Sequence, residues 1–325
     1  MGGGAGPGGG SVGRPTSAER FARRGDIAAQ LARRHGGVVR RADLLAEGLT
    51  RYDVDAQLRR GVWHRAGVHT ICIDGQRPRD EGLLWRALWE SGPRSVLDGP
   101  SALVVAGLRH WTEKLIHVSV PGNATIRPLR GVRHHTLRDV GPCVLAGLRR
   151  TRPEVAAVRA AQWARTDREA ATVLAMVVQQ RLVSPAVLLG RWSAVRASRR
   201  RRFLDVVIRD VCDGAQSINE LDVAAACRAR GLPVPTRQAV RTGPRGAVYL
   251  DIFWDKEKVH AEVQGAHHYQ GIKVVDDSFR ANDLAIGDVD TISLTIPVLG
   301  WRLYPDRYLD QVARALLAGR RRRAA

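Results

Sequence analysis

Acidic, amide and histidine side chains stand among apolar residues in AVYLDIFWDKEKVHAEVQGAHHY, residues 247–269. The segment has the composition of a β-hairpin, and its polar stretch at residues 255–258 is predicted to form the turn. Trp254 and Val259 then form the closing pair of the turn. Counting back from this pair along an antiparallel ladder places Asp251 directly opposite Glu262.

Strand alternation places these acids on one face of the hairpin. Tyr249, Asp251 and Phe253 share that face with His260, Glu262 and Gln264 on the second strand, a set fixed by the two-residue period. Directly opposed carboxylates, with Cβ atoms about 5 Å apart, repel each other unless something positive lies between them. Mg²⁺ or Mn²⁺ would meet that need, because hard cations prefer carboxylate oxygens. The competing interpretation is a wet surface pair neutralised by a nearby arginine.

The order and spacing of these residues resemble a known nuclease pattern. Asp251, a ten-residue gap and then Glu-x-Gln are similar to the PD-(D/E)XK signature, with Gln264 where lysine is usual. From Ser217 onward the chain resembles the very-short-patch-repair (Vsr)-like, restriction-endonuclease-like domain of unknown function. The residues that carry this second resemblance are Glu220, GLPVP, YLDIFW, AEVQG, the pair His267-His268, and Asp277 followed by Arg280.

The resemblance implies a set of site residues. Asp251 and Glu262 would ligate Mg²⁺ (or Mn²⁺), with the Val263 carbonyl as a third ligand. Glu220 would approach from the preceding helix, and Gln264 would orient the attacking water or steady the scissile phosphate. His267 or His268 would act as a general base or hold phosphate, and two-residue counting from Glu262 favours His268. Arg280 would stabilise charge in the transition state.

Gln264 is a departure from the pattern. Related domains have aspartate at that place and other nucleases have lysine, whereas an amide cannot take a proton from water. Two interpretations therefore stay open: an endonuclease hydrolysing DNA phosphodiester bonds, in defence or in repair, and a silent domain that only holds DNA.

Nearer the N-terminus, the residue pattern of the segment 21–78 predicts a winged helix-turn-helix. Ile27, Leu31 and Val38 supply the apolar positions of a first helix and its exit, and Gly36-Gly37 ends it. A short helix follows from residue 41 to residue 47. Thr50 and Asp53 then form a capping-box-like start for a third helix. VWHRAGVHTICI reads as two strands of a wing.

This segment resembles the N-terminal domain of the abortive-infection type IV antitoxin (AbiEi) family. In a winged helix the third helix enters the major groove and the wing contacts the DNA backbone. The candidate DNA-binding residues are Arg51, Tyr52, Arg59, Arg60, His64 and Arg65. The alternative is a set of solvated charges on a module that contacts protein. A cognate toxin is the partner that the resemblance implies.

The remaining segments complete an α+β prediction: the winged helix, a mostly helical middle region at residues 79–212, and an α/β restriction-endonuclease-like domain at residues 213–318. Residues 1–20 are predicted as a disordered Gly-rich lead and residues 319–325 as a basic tail. Adjacent His134 and His135 should point to opposite faces of a strand, which disfavours a metal site. The run of arginines at residues 199–202 is either a solvated helix face or a phosphate contact.

Composition favours a polyanionic partner. Lys and Arg outnumber Asp and Glu by 52 to 32, a formal charge of +20 that attracts nucleic acid. The four cysteines are far apart and form no CxxC pair, which argues against a zinc ribbon or a disulfide framework. No apolar run is long enough to span a membrane. The expectation is a cytoplasmic DNA-binding protein.

Overall fold

The fold is known from a computed structural model, which describes residues 17–73, 77–213, 222–242, 248–264, 272–286 and 292–324. It is α+β, as predicted. The chain divides into two compact units. The first contains the residues up to Leu97 with Val118–Asp139 and Ala146–Arg149, and the second contains Asp98–His117, Val140–Leu145 and the chain from Arg150 onward. The predicted domain boundaries at residues 78/79 and 212/213 both fall inside a unit.

The first unit begins with the elements of a winged helix. In chain order they are α1 (Ser17–Arg33), β1 (Val38–Arg40), α2 (Arg41–Ala46), α3 (Arg51–Arg59), β2 (His64–Arg65) and β3 (Thr70–Cys72). The three strands form one antiparallel sheet in the order β1-β3-β2. The two wing strands are where the sequence predicts them. Val38, predicted at the exit of the first helix, starts β1, where its side chain is buried.

Local sequence explains where α3 begins. The Thr50 hydroxyl accepts from the Asp53 backbone N–H at 3.2 Å, and the Asp53 carboxylate accepts from the Thr50 N–H at 2.9 Å. This is the predicted capping box, which satisfies two backbone donors that the helix itself leaves unpaired. Burial alone would raise the pKa of Asp53, but its hydrogen bonds to Thr50 and the nearby Arg24 lower it.

The rest of the first unit adds α4 (Asp80–Glu90), β4 (Val96–Leu97), most of β5 (Ile116–Pro121) and β6 (Val132–Leu137). Gly36 has φ +62°, and a Cβ there would lie 2.5 Å from the Gly82 backbone nitrogen. The backbone of α4 therefore approaches the turn before β1 more closely than any side chain would allow.

Two half-buried histidines make the stability of the first unit dependent on pH. Burial lowers the pKa of His35, which packs against Trp85 and Trp89, and that of His134, which contacts the Ser91 hydroxyl at 2.8 Å. The unfolded chain takes up protons as the pH falls through about 6.5, whereas the folded chain does so only at lower pH. The free energy of unfolding therefore has its full value above a pH of about 6.5 and decreases as the pH falls below it.

Urea denaturation should show this effect as a lower midpoint at a pH of about 5.5 than at about 7.5. His35→Phe keeps an aromatic ring against the tryptophans and cannot titrate, so the difference between the two midpoints should shrink. His69→Gln, at an exposed position, should keep the full difference. A His35→Phe protein with the pH dependence of the unmodified chain would contradict the assignment to His35.

The second unit contains a helical layer and the C-terminal sheet. Its elements in chain order are α5 (Gly99–Val105), β7 (Cys143–Val144), β8 (Arg150–Thr151), α6 (Pro153–Trp163), α7 (Asp167–Gln179), α8 (Pro185–Ser193), α9 (Arg201–Asp213), α10 (Val223–Ala229), β9 (Arg237–Thr242), β10 (Val248–Trp254), β11 (Val259–Gln264), α11 (Ile272–Ala285), β12 (Ile292–Pro297), α12 (Val298–Leu303) and α13 (Pro305–Ala324). Helices α7 and α9 pack against α11 and α12, so the predicted middle and C-terminal regions share a unit.

A buried ion pair joins several segments of this unit. The Asp98 carboxylate is fully buried and lies 2.6 Å from an Arg159 guanidinium nitrogen. It also accepts from the Gly99 backbone N–H and from the Thr151 hydroxyl, each at 2.7 Å. Arg159 donates a further bond to the Val140 carbonyl at 2.9 Å. This arrangement gives each charge the hydrogen bonds that burial requires.

The C-terminal sheet has the strand order β12-β11-β10-β9. Strands β9, β10 and β11 are antiparallel neighbours, and β12 pairs with β11 in parallel after the helix α11. Strand β12 lies at an edge of the sheet. The Asn282 side chain covers part of this edge by bonding the Thr295 backbone N–H at 2.7 Å and its carbonyl at 2.9 Å.

Strand β9 lies at residues 237–242, to which the sequence analysis assigns no element. Two further sequence predictions are corrected in this unit. Arg200 and Arg201, from the arginine run, make structural contacts: Arg200 with Asp167 at 2.8 Å, and Arg201 over the Trp192 ring at 4.6 Å. The predicted basic tail continues α13 to Ala324, and Arg320 pairs with buried Glu257 at 3.1 Å.

Across the described ranges of both units, none of the helices combines the length and the apolar character needed to cross a bilayer.

Candidate functional site

The hairpin of β10 and β11 has the predicted register. Residues 255–258 form the turn, Trp254 pairs with Val259, and Asp251 lies directly opposite Glu262. Lys258 adopts φ +53° to complete the reversal of the chain. The predicted juxtaposition of the two acids is therefore confirmed.

The two faces of the hairpin differ in chemistry. One face is fully apolar and packs into the core under α11 and α13, through Leu250, Ile252, Trp254, Val259, Ala261 and Val263. The other face carries Asp251, His260, Glu262 and Gln264, and we call it the polar face. Asp251 is only 9% exposed there. Its carboxylate is thus held in a buried environment rather than in open water.

Each carboxylate of the pair has a nitrogen partner on the polar face. Asp251 Oδ1 lies 3.3 Å from His260 Nε2, a diagonal neighbour on the next strand. Glu262 Oε1 accepts a hydrogen bond from Gln264 Nε2 at 3.2 Å. The predicted residue Gln264 therefore lies beside the acids, but it bonds a carboxylate.

The position of His260 is defined by its other neighbours. Its Nδ1 lies 3.3 Å from the Ser293 hydroxyl on β12, and its ring stacks on Phe253 with centroids 4.5 Å apart. The sequence analysis places His260 on the correct face but assigns it no role. Period-two counting was the signal that could have found it. Ser293 could not be found in this way, because its position depends on the parallel pairing of β12.

A cation lies at one end of the polar face. Arg237 on β9 is opposite Phe253, and its guanidinium carbon lies 4.8 Å from the ring centroid. Arg237 also pairs with Asp255 in the hairpin turn at 2.8 Å. Bonds from Arg237 and from Thr236 lower the pKa of the Asp255 carboxyl. A positive group thus lies against Phe253 and Asp255 at the turn end of the polar face, on a strand that the sequence analysis missed.

Other predicted site residues are placed only in part. Glu220, His267 and His268 lie outside the described residues. Arg280 is exposed on α11. Val263 points its side chain into the apolar core, on the face opposite the acids. The proposed roles of all these residues stay predictions.

The metal prediction rests on two carboxylates alone. Within the described ranges, no group of three or more His, Cys, Asp or Glu side chains is close enough to hold a metal ion. The donor set nevertheless suits a hard cation, since Mg²⁺ is often bound by one or two carboxylates with water and phosphate completing its shell.

The second candidate site is the exposed surface of α3 and the wing. Of the predicted DNA-binding residues, Tyr52 is 74% exposed. Arg51, Arg59, Arg60, His64 and Arg65 are exposed as well. The Arg59 guanidinium lies 5.7 Å from the Tyr52 ring, and Arg65 approaches Asp55 at 3.6 Å. The arginines thus present positive charge on the helix that a winged helix inserts into DNA.

The wing turn is held by α4. The Glu90 carboxylate accepts from the backbone N–H groups of Val68 and His69, both at 2.9 Å, and from the Thr70 hydroxyl at 2.7 Å. Arg86 donates to the Ala66 carbonyl at 2.6 Å. The wing is therefore fixed by a helix that follows the predicted module in the sequence.

Comparison with known proteins gives structural similarity at a low TM-score. The sequence matches no family model and no curated protein. Among solved structures it is similar to the crystal structure of the RV2827C protein from Mycobacterium tuberculosis, with 17% identity and a TM-score of 0.38. The similarity covers 60% of this chain and 76% of that chain. A TM-score of that size shows neither a shared fold nor a shared function.

Proposed function

We propose that this chain binds DNA through its N-terminal module and hydrolyses phosphodiester bonds with Mg²⁺ or Mn²⁺ at the polar face. The observation that supports this proposal best is the direct opposition of Asp251 and Glu262 on central strands of a sheet. Opposed carboxylates, of which Asp251 is buried and Glu262 partly buried, repel each other and raise the free energy of the fold unless a cation offsets them. A structural role alone would be served better by apolar residues on this face.

The residues of the polar face have separable tasks. Asp251 and Glu262 would hold the cation, with the Val263 carbonyl as a further oxygen ligand. When bound, such a cation lowers the pKa of an attacking water and offsets charge on the phosphate. The amide of Gln264 can orient water or phosphate by hydrogen bonding, but it cannot accept a proton. Arg237 supplies positive charge toward a DNA backbone at the same face.

The second candidate function is DNA binding without cleavage, as in an AbiEi-type antitoxin or a transcriptional regulator. The supporting observation is that Gln264 donates a hydrogen bond to Glu262. Gln264 therefore engages one of the two carboxylates, at a position where a nuclease would have a residue that can activate water. This function would add a cognate toxin as partner. Both functions imply a cytoplasmic protein acting on DNA.

A plasmid assay separates the two functions. Purified protein is incubated with supercoiled DNA in Mg²⁺, in Mn²⁺ and in EDTA, and nicked circles are followed over time. An endonuclease produces nicks with either metal and none in EDTA. Tight, salt-sensitive binding with no nicking under all three conditions would contradict catalysis and support the regulator.

DNA binding by α3 predicts a specific dependence on salt. Replacing Arg51 and Arg59 by alanine removes two exposed cations from the reading helix. If both contact phosphate, the slope of log affinity against log salt concentration should become less steep by about 2. Fluorescence anisotropy with a labelled duplex at several salt concentrations measures the slope.

The control replaces Arg127 and Arg130, two exposed arginines in the loop between β5 and β6. It removes the same charge from the same unit, so long-range attraction falls equally. Equal slopes for the two double variants would refute a specific contact by α3.

A further inference from the structure

On the polar face, the His260 ring contacts the Asp251 carboxylate. We propose that His260 is a positioning residue: it fixes the Asp251 carboxylate so that the pair with Glu262 is preset to bind a divalent cation. This inference rests on the proposed function, because it assigns a role within the same site. His260 itself points to Asp251 and is no ligand of the cation in this proposal.

The His260 ring is restrained on three sides. Nε2 lies 3.3 Å from Asp251 Oδ1, Nδ1 lies 3.3 Å from the Ser293 hydroxyl, and one ring face stacks on Phe253 at an interplanar angle of 19°. A carboxylate accepts hydrogen bonds, so the proton on Nε2 points at Asp251. In neutral His260, Nδ1 then accepts from the Ser293 hydroxyl. Both ring nitrogens therefore have partners in one orientation only.

The restraint extends through Phe253 to the edge of the sheet. Arg237 covers Phe253 at 4.8 Å and is anchored by Asp255 at 2.8 Å. Asp255 is anchored in turn by the Thr236 hydroxyl at 3.0 Å. Side chains from β9, β10 and the hairpin turn thus support the imidazole on one side, and Ser293 supports it from β12. Groups held in this way keep a binding site in its productive geometry.

The expected effect is on metal affinity. A carboxylate that is already oriented loses less freedom on binding a cation than one that rotates, and removing such a supporting partner typically costs about 10–100-fold in metal affinity or activity. No comparable effect is expected on the folding of the sheet, because the core under it consists of the apolar residues of the opposite face.

Calorimetric titration of the whole protein with Mn²⁺, in the absence of DNA, tests the inference without reference to catalysis. His260→Leu retains bulk against Phe253 and loses both ring nitrogens, so the dissociation constant for Mn²⁺ should rise about 10–100-fold. His260→Gln places an amide nitrogen where Nε2 was and should bind Mn²⁺ more tightly than the leucine variant. His69→Gln, at an exposed histidine in the other unit, should bind like the unmodified chain.

The outcomes separate this inference from the proposed function. Mn²⁺ binding that weakens in His260→Leu and recovers in His260→Gln supports positioning, even if plasmid nicking is absent and the nuclease proposal fails. Nicking by the unmodified chain with unchanged Mn²⁺ affinity in His260→Leu overturns the positioning role alone. Equal weakening in the leucine and glutamine variants, with lowered thermal midpoints, overturns it in favour of a packing role. No Mn²⁺ binding by any of the proteins overturns both proposals.

Discussion

A protein carrying Asp251→Asn together with Glu262→Gln should nick supercoiled DNA at least about 100-fold more slowly than the unmodified chain in Mg²⁺ or Mn²⁺. A catalytic cation contributes several kcal/mol to stabilising the transition state, and each 1.36 kcal/mol corresponds to a factor of ten in rate. Both replacements preserve side-chain shape and remove the charge that would hold the cation. Initial rates of nicked-circle formation measure the loss.

The same variant should still bind DNA without metal, at least as tightly as the unmodified chain, because two negative charges have been removed from the polar face. The matched control carries Asp306→Asn with Asp310→Asn. These two acids lie on α13 and pair with Arg230 at 2.8 and 2.5 Å, away from the hairpin face. Nicking that survives in the Asp251/Glu262 variant would show that the cleavage comes from another site or from a contaminant.

Asp98→Ala should lower the free energy of unfolding of the second unit by about 3–5 kcal/mol, the usual cost of removing one partner of a buried ion pair. The change leaves the Arg159 charge, whose side chain is 11% exposed, without its counter-charge. It also removes the bonds to the Gly99 backbone and the Thr151 hydroxyl. Thermal unfolding and urea midpoints followed by circular dichroism measure the loss.

Two further variants identify the cause of this loss. Asp98→Asn keeps a hydrogen-bond acceptor and should be destabilised less than Asp98→Ala. Combining Asp98→Asn with Arg159→Met removes both charges and should be more stable than the sum of the single changes predicts, since no unpaired charge is left buried. Exposed Asp306→Ala is the control. A loss below about 1 kcal/mol for Asp98→Ala would contradict an energetic role for the pair.

The register of the hairpin could be predicted because one short turn determines every pairing in it. Residues 255–258 are the polar break between two apolar runs, and a slip by one residue would move Asp251 into the core. The winged helix could be predicted for a similar reason. Thr50 and Asp53 carry a local start signal for α3, and such short-range signals do not depend on the rest of the fold.

Long-range pairings could not be predicted in this way. Strand β9 has the sequence RQAVRT, in which four of six residues are polar, a composition that gives little strand signal on its own. It becomes a strand because β10 offers it an unpaired edge. The contact of Ser293 with His260 likewise depends on a parallel crossover through α11, and the sequence contains no local record of that register.

The hydrogen bonds from α4 to the wing turn have a consequence for preparing fragments of the protein. Glu90 and Arg86 lie beyond residue 78, yet they supply the bonds that hold residues 66–70 in place. A fragment ending at residue 78 would keep α3 but would release the wing turn, so weak DNA binding by that fragment would not argue against the intact chain. Cutting after residue 97 instead would retain the anchoring helix, which makes it the more informative minimal piece.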